Sequence, residues 1–439
     1  MSAYKVKQIK TPINSVISVP GSKSITNRAL LLGALADGES ILKNPLFSND
    51  TEAFLDSLEK LGFEVKVEAG SEDPVSFVSI KGNGKEIPIK TGKIYVSSAG
   101  TAARFLTAFL ATSNGKYVID ASEQMKKRPM KPLFDTLVDL GVSLDYLEET
   151  GYLPVELRGF DKYINKDSVS IGSDQSTQFL SALLMVSPRL ANLIYETDSS
   201  GFLIKVEGNR AKGAYVKMTL AMMEQFGVKV ENRGTKFYTK KNEFFRAREY
   251  DIEPDISAAC YFYAAAAITE GEVLVKGVHL NSIQGDIKFL SVLENMGCRI
   301  VDEPSGVRLY GPEKGKLSGI DIDMKDFSDQ SITLAAIAPF CNSRVIIRNI
   351  GHIRLQESDR IHGMATELSK MGIKVVEGED SIEIYPGQVK ASLVDTYEDH
   401  RMAMAFAITG IMADGIVIDN YECCSKTFKN FFEVLEEIY

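Results

Sequence analysis

Two hydrophobic rhythms run through this chain. Six stretches are apolar nearly all round and rich in Ala, Leu and Met: 27–36, 101–112, 177–185, 256–269, 330–340 and 400–412. That pattern predicts helices buried on every side. Segments such as 50–61 and 358–371 carry apolar residues on one face only and predict helices exposed on the other. Short alternating runs at 41–44, 116–120, 193–196, 272–275, 344–348 and 416–419 predict strands between the helices.

The exposed helices share one ending. Leu61-Gly62, Leu140-Gly141, Phe226-Gly227, Met296-Gly297 and Met371-Gly372 each lead into an alternating strand, at intervals of 79, 86, 70 and 75 residues. A glycine directly after an amphipathic helix takes the left-handed conformation that closes it without steric penalty. Segment 431–438 reads as the exposed helix of a sixth copy. Each unit is therefore strand, buried helix, strand, exposed helix, strand, strand, which is too large for one turn of a solenoid. Six copies predict an α/β protein of two domains with helices inside and sheets outside. The first domain spans 21–250 with three repeats; the second spans 251–439 plus 1–20 with the other three. The polar run Thr239-Lys240-Lys241-Asn242-Glu243 precedes the boundary, and a strand at 4–9 that pairs with the second domain would leave two crossover segments.

Composition narrows the class without changing this picture. The 439 residues are 44% hydrophobic and 25% charged, ordinary values for a globular protein large enough for two or three domains. A net charge of −9 argues against nucleic acid or an anionic membrane as the main partner, so any anion must be bound by locally concentrated Lys and Arg. The five cysteines all lie at or beyond Cys260, and neither they nor the four histidines show metal-ligand spacing. The start, MSAYKVKQIK, has no apolar leader core, and no run reaches the ~18 apolar residues of a membrane span. The expectation is a cytoplasmic enzyme, with a monomer as the expected state.

The chemistry sits where the buried helices begin. The openings are Lys23-Ser24…Arg28; Ser97-Ser98-Ala99-Gly100-Thr101…Arg104; Ser173-Asp174-Gln175-Ser176-Thr177-Gln178; Asp255-Ile256-Ser257; Ser328-Asp329-Gln330-Ser331; and Glu398-Asp399-His400-Arg401. Polar residues that open a buried helix need partners, and Asp255-Ile256-Ser257 reads as an ordinary cap. Capping does not explain Arg28, Arg104 and Arg401, because a helix N-terminus is already positive and opposes added cations unless an anion binds there. Parallel inner helices would bring their N-termini to one face of each domain, and two such faces opposed across a cleft would attract anions strongly. Arg128, Arg354, Arg360 and Lys426 add cations in connecting segments, and Asp329, Glu357, Asp359 and Asp399 lie beside them. This inventory suits two phosphate- or carboxylate-bearing substrates, with carboxylates for proton transfer.

Four of these motifs, in this order, resemble the 5-enolpyruvylshikimate-3-phosphate synthase family: Pro20-Gly21-Ser22-Lys23-Ser24…Asn27-Arg28, Ala99-Gly100-Thr101-Ala102-Ala103-Arg104, Gln356-Glu357-Ser358-Asp359-Arg360 and Asp399-His400-Arg401-Met402-Ala403. The resemblance covers essentially the whole chain. It implies the enolpyruvyl transferase fold, an inside-out α/β barrel in each of two domains with the site in the interdomain cleft. It implies a transfer, without cofactor or metal, of the enolpyruvyl group of phosphoenolpyruvate to the 5-hydroxyl of shikimate 3-phosphate, with release of phosphate. The positions that match the family's shikimate 3-phosphate contacts are Lys23, Ser24, Arg28, Ser176, Thr177, Gln178 and Asp329, with Gln356 on the same side. Those matching its phosphoenolpyruvate contacts are Lys23, Gly100, Arg128, Gln178, Arg360, Arg401 and Lys426. Asp329 matches the general base for the 5-hydroxyl and Glu357 the group that exchanges the proton at the enol methylene. Lys23 and Lys426 match groups that stabilise charge or relay protons.

Several positions depart from the family pattern. Gln356 stands where a lysine is usual, Ser98 where asparagine is frequent, Gln124 where arginine is common, and Phe105 where proline or leucine follows the second motif. The usual Ser-x-Pro-Tyr reads Lys212-Gly213-Ala214-Tyr215, so Lys212 is a candidate to supply the charge missing at Gln356. The nearest rival, UDP-N-acetylglucosamine enolpyruvyl transferase, typically opens with a Gly-Ala-Lys-Asn type signature and carries a first-domain loop cysteine, which this chain lacks. A non-catalytic anion-binding paralogue is the alternative of another class, and the joint presence of Lys23, Asp329 and Glu357 speaks against it.

Overall fold

A computed structural model describes residues 2–68, 77–84, 86–160, 162–172, 176–195, 200–208 and 211–439. The chain divides into two compact units: residues 23–252, and residues 1–22 together with 253–439. Both are built from one motif, and the sheets show it most plainly. In the sheet Thr91–Tyr95, Lys116–Asp120, Val155–Arg158, Ser143–Tyr146, the first two strands are parallel and the remaining pairs antiparallel. A parallel pair cannot be joined by a tight hairpin, so a helix crosses between them, and wherever the two parallel strands follow each other in the chain that crossover is a buried helix. The same order recurs in Ser168–Gly172, Gly201–Glu207, Lys236–Lys240, Glu231–Asn232 and in Asp321–Asp323, Val345–Arg348, Ile382–Ile384, Val375–Glu377.

Two sheets borrow a strand from far along the chain. Glu249–Asp251, at the end of the 23–252 unit, pairs in parallel with Asp37–Lys43 of the first repeat. Asn14–Ile17 pairs in parallel with Glu272–Lys276 of the fourth repeat. Ala3–Lys5 pairs antiparallel with Ile416–Asp419, in register Ala3 to Asp419, and stands where the sixth repeat needs a third strand. Each unit is thereby closed by strands from both of its chain ends.

Inside each unit run three buried helices: α1 Lys23–Leu35, α2 Gly100–Ala111 and α3 Thr177–Leu193 in one, α4 Ile256–Thr269, α5 Ser331–Ile337 and α6 His400–Met412 in the other. Every residue of α4 except Ser257 is buried. Its alanines let neighbouring helices approach closely, and α4, α5 and α6 pack on one another pairwise. The outer helices bury one stripe only; Asn49–Lys60 buries Phe54, Leu55 and Leu58 and exposes its charged face. The helix-ending glycines behave as their spacing implies: Gly62, Gly141, Gly227, Gly297 and Gly372 all lie at φ between +80 and +113°.

Two segments differ from the sequence reading. The third buried helix does not stop at 185 but continues to Leu193 with Pro188 inside it. The carbonyl that Pro188 cannot serve, Leu184 O, accepts a 2.8 Å bond from the Ser187 hydroxyl, which offsets the missing N–H. The strand expected at 193–196 is consequently displaced to Gly201–Glu207, and Glu196 itself lies outside the described residues. The fifth buried helix is α-helical only over Ser331–Ile337, with single 3₁₀ turns at Ser328–Gln330 and Ala338–Phe340.

Candidate active site

In the unit of residues 1–22 and 253–439, one guanidinium gathers the carboxylates. Arg360 opens the outer helix Arg360–Lys370 and is 1% exposed. Its Nη1 donates to Asp329 Oδ1 at 3.0 Å, its Nη2 to Glu357 Oε2 at 2.9 Å and its Nε to Asp399 Oδ2 at 2.8 Å. The Gln356 side-chain carbonyl also accepts from Nη1. Burial alone would lower the pKa of Arg360; the charges of Asp399, Glu357 and Asp329 outweigh it and hold the group firmly cationic.

The remaining cations attach to the same carboxylates. Arg401 Nη2 donates to Asp329 Oδ2 at 3.1 Å, and Lys426 Nζ lies 3.6 Å from Glu357 Oε1. Asp399 is fully buried, caps α6 through Arg401 N–H at 2.9 Å, and is preceded by two left-handed residues, Tyr397 at φ +54° and Glu398 at φ +56°. Such residues cost of the order of 1 kcal/mol or more each and persist only where the surroundings impose them. Here the Tyr397 hydroxyl donates to buried Glu367 at 2.7 Å and anchors the turn. Asp329, Glu357, Gln356, Arg360, Arg401 and Lys426 thus converge, with Asp399 as the buried anchor.

Residues 23–252 form a second constellation. Arg28 is buried in α1 with its Nε donating to Thr219 Oγ1 at 2.8 Å, Nη1 to Ser24 O at 2.9 Å, and Nη2 to Ser181 Oγ at 3.3 Å and Tyr215 O at 3.4 Å. The rings of Phe105 and Tyr215 lie 5.2 and 5.7 Å from it, so the unusual Phe105 supplies a cation–π face. No carboxylate pairs with Arg28 among the described residues, and burial pushes its pKa down to about 10. Lys23 Nζ, on the first residue of α1, lies 3.3 Å from buried Asp50. Asn27 Nδ2 donates to Thr101 Oγ1 at 2.6 Å and ties α1 to the start of α2.

At that start, Gly100 is needed for space. A Cβ there would lie 2.8 Å from Arg104 Nη1 and 2.8 and 2.9 Å from the two terminal nitrogens of Arg128. Two guanidiniums therefore meet the N-terminus of one helix, an arrangement that attracts an anion strongly. Ser176 caps α3 by accepting from Gln178 N–H at 3.2 Å; Thr177 is buried beside it. Gln178 Oε1 is buried with no hydrogen-bond partner among the described residues. Ser173, Asp174 and Gln175 of the same motif lie outside the described residues. Lys212 is exposed, three residues before the Tyr215 that carries Arg28.

Sequence reasoning missed part of this. Asp255 does cap α4, accepting from Ala258 N–H at 3.0 Å, but the next-but-one residue does more. The Ser257 hydroxyl donates to the Asp286 carboxylate and lies 3.4 Å from Arg401 Nη2. Asp286 sits in a single 3₁₀ turn, Gly285–Ile287, with no periodic pattern to flag it. Thr219 and Ser181, which cradle Arg28, look like ordinary helical polar residues in the sequence.

The family model described as EPSP synthase (3-phosphoshikimate 1-carboxyvinyltransferase) matches residues 7–435. A 3-phosphoshikimate 1-carboxyvinyltransferase of Trichormus variabilis is 42% identical over 433 residues, 98% of each chain. One of a Sulfurovum species is 38% identical over 442 residues, covering 100% of this chain and 99% of its own. Among solved structures, an EPSP synthase from Acinetobacter baumannii superposes with a TM-score of 0.78 at 22% identity, covering 99% of this chain and 98% of that one, a likeness of fold.

Proposed function

This chain belongs to the EPSP synthase (3-phosphoshikimate 1-carboxyvinyltransferase) family, and we propose that it transfers the enolpyruvyl group of phosphoenolpyruvate to the 5-hydroxyl of shikimate 3-phosphate, releasing phosphate. The reaction is an addition followed by an elimination. The 5-hydroxyl oxygen bonds to C2 of phosphoenolpyruvate while C3 gains a proton. The adduct then loses a proton from C3 and phosphate from C2, which restores the double bond as an enol ether.

Asp329 takes the proton of the 5-hydroxyl, and Glu357 handles the proton at C3. Lys23 and Lys426 stabilise the charge that develops or relay protons. Shikimate 3-phosphate is held by Lys23, Ser24, Arg28, Ser176, Thr177, Gln178, Asp329 and Gln356, and phosphoenolpyruvate by Lys23, Gly100, Arg128, Gln178, Arg360, Arg401 and Lys426. The observation that carries these assignments is the meeting of Asp329 and Glu357 on one buried guanidinium, with Arg401 and Lys426 on their other oxygens. Two carboxylates suited to proton transfer and the cations that would hold an anionic substrate thereby lie within one group of hydrogen bonds and ion pairs.

The test is phosphate release from phosphoenolpyruvate. Release should depend strictly on shikimate 3-phosphate and should not occur with UDP-N-acetylglucosamine. Asp329→Ala should lower turnover by a factor of about 100 or more while leaving both substrates bound. Wild-type protein that releases no phosphate in the presence of shikimate 3-phosphate would overturn the reading.

A further inference from the structure

Asp286 is a carboxylate outside the assigned machinery and only 6% exposed. It accepts a 2.8 Å bond from Gln330 Nε2 and another from the Ser257 hydroxyl. Gln330 is itself fixed, since its Oε1 accepts from Thr333 Oγ1 at 3.0 Å, and it is the chain neighbour of Asp329. Ser257 in turn lies 3.4 Å from the Arg401 nitrogen that donates to Asp329 at 3.1 Å. Asp286 therefore reaches Asp329 along two paths, through the backbone of the Ser328–Gln330 turn and through Ser257 and Arg401.

We propose, taking Asp329 as the base assigned above, that Asp286 is a positioning residue for the reaction: it pins the turn that carries Asp329 and, as a nearby negative charge, keeps Asp329 a competent proton acceptor. In this group Asp329, Glu357 and Asp399 pair with Arg360, Arg401 and Lys426, and ionised Asp286 adds a further negative charge close to Asp329. When Arg401 turns to a substrate carboxylate, Asp329 loses a counter-charge while Asp286 stays. Repulsion between like charges then favours proton uptake by Asp329.

The surroundings of Asp286 agree. Burial first, and Asp329 second, push its own pKa up to about 6, against the opposing pull of Arg401 and the bonds from Ser257 and Gln330. Of the other groups near it, the Cys260 thiol is pushed well up by burial and by the charges of Asp286 and Asp255, and Lys288 turns away to Asp326 at 2.9 Å.

Asp286→Asn separates charge from shape, because its amide oxygen can still accept from Gln330. Burial penalises the ionised carboxylate, so the neutral variant should fold at least as well as wild type above pH 6. The primary readout is the ¹³C carboxyl titration of Asp329 in ligand-free protein, assigned by its loss in Asp329→Asn. Asp286→Asn should lower that titration by about half a pH unit or more. In steady-state kinetics the acid limb of kcat should move down with it, kcat near pH 7 should fall about tenfold, and both KM values should stay within about threefold. An unmoved Asp329 titration would overturn the proposal whatever the turnover. Failure of wild type to release phosphate would instead overturn the assigned function, and the titration would still decide the role of Asp286.

Discussion

Replacing Arg360 by methionine removes the guanidinium on which three carboxylates depend while filling similar space. Asp329 would keep Arg401 at 3.1 Å, and Glu357 would keep Lys426 at 3.6 Å. Among the described residues Asp399 would keep only neutral hydrogen-bond donors, the Arg401 backbone N–H at 2.9 Å and the Ser358 hydroxyl at 3.1 Å, in a fully buried position beside His400 Nδ1 at 3.7 Å. The dominant effect is therefore one stranded buried carboxylate, which destabilises by about 3–5 kcal/mol. Adding Asp399→Asn removes that charge but keeps an acceptor for the helix cap, so the double variant should recover about 2 kcal/mol of the loss. The pH dependence follows in sign. The cost comes from the stranded negative charge, which protonation removes, so the defect should be smaller at low pH and grow as pH rises. With no tryptophan in the chain, urea unfolding followed by far-ultraviolet circular dichroism at pH 5 and pH 8 is the suitable assay. A single variant within about 1 kcal/mol of wild type at pH 8, or a double variant no more stable than the single, would refute this account of the cluster.

Three further outcomes are expected. Gly100→Ala should raise the KM for phosphoenolpyruvate about tenfold or more and leave the circular dichroism spectrum unchanged, because the new methyl displaces Arg104 and Arg128 from the helix N-terminus; an unchanged KM would remove that helix start from the site. Lys212→Ala should weaken shikimate 3-phosphate binding several-fold at low salt and less at high salt if Lys212 replaces the charge absent at Gln356, and calorimetry showing equal affinity would discard that idea. Arg28→Met should leave the ligand-free protein within about 2 kcal/mol of wild type, since it removes a buried cation that no described carboxylate neutralises, yet it should abolish the rise in melting temperature that shikimate 3-phosphate gives wild type. A large loss of stability without ligand would show instead that the four hydrogen bonds and two aromatic rings hold Arg28 for structural reasons.

Much of this protein is written in local pattern. The glycines at 62, 141, 227, 297 and 372 announce helix ends because only a residue without a side chain takes those positive φ values cheaply, a constraint that involves no distant partner. The all-round apolar character of α4 and α6 announces burial for the same kind of reason: no other environment suits such a surface. The helix openings were legible as chemistry because Arg28, Arg104 and Arg401 conflict with the local dipole, and a conflict visible in sequence points to a function.

What the chain's pattern could not supply is whatever depends on meetings across long separations. Pro188 reads as a helix stop, and only the Ser187 hydroxyl and packing on all sides carry the helix past it. The pairing of Glu249–Asp251 with Asp37–Lys43, and of Asn14–Ile17 with Glu272–Lys276, is decided by which sheet edge lacks a parallel partner once the units close. Asp286, Ser257 and Gln330 carry no signal singly, because a buried hydrogen bond has no period; it exists only where folding removes water from both partners at once. Sequence alone thus determined the repeat, the buried helices and the charged residues at their starts. Tertiary structure decided which carboxylate faces which cation, since desolvation and distance set those energies and neither is a local property of the chain.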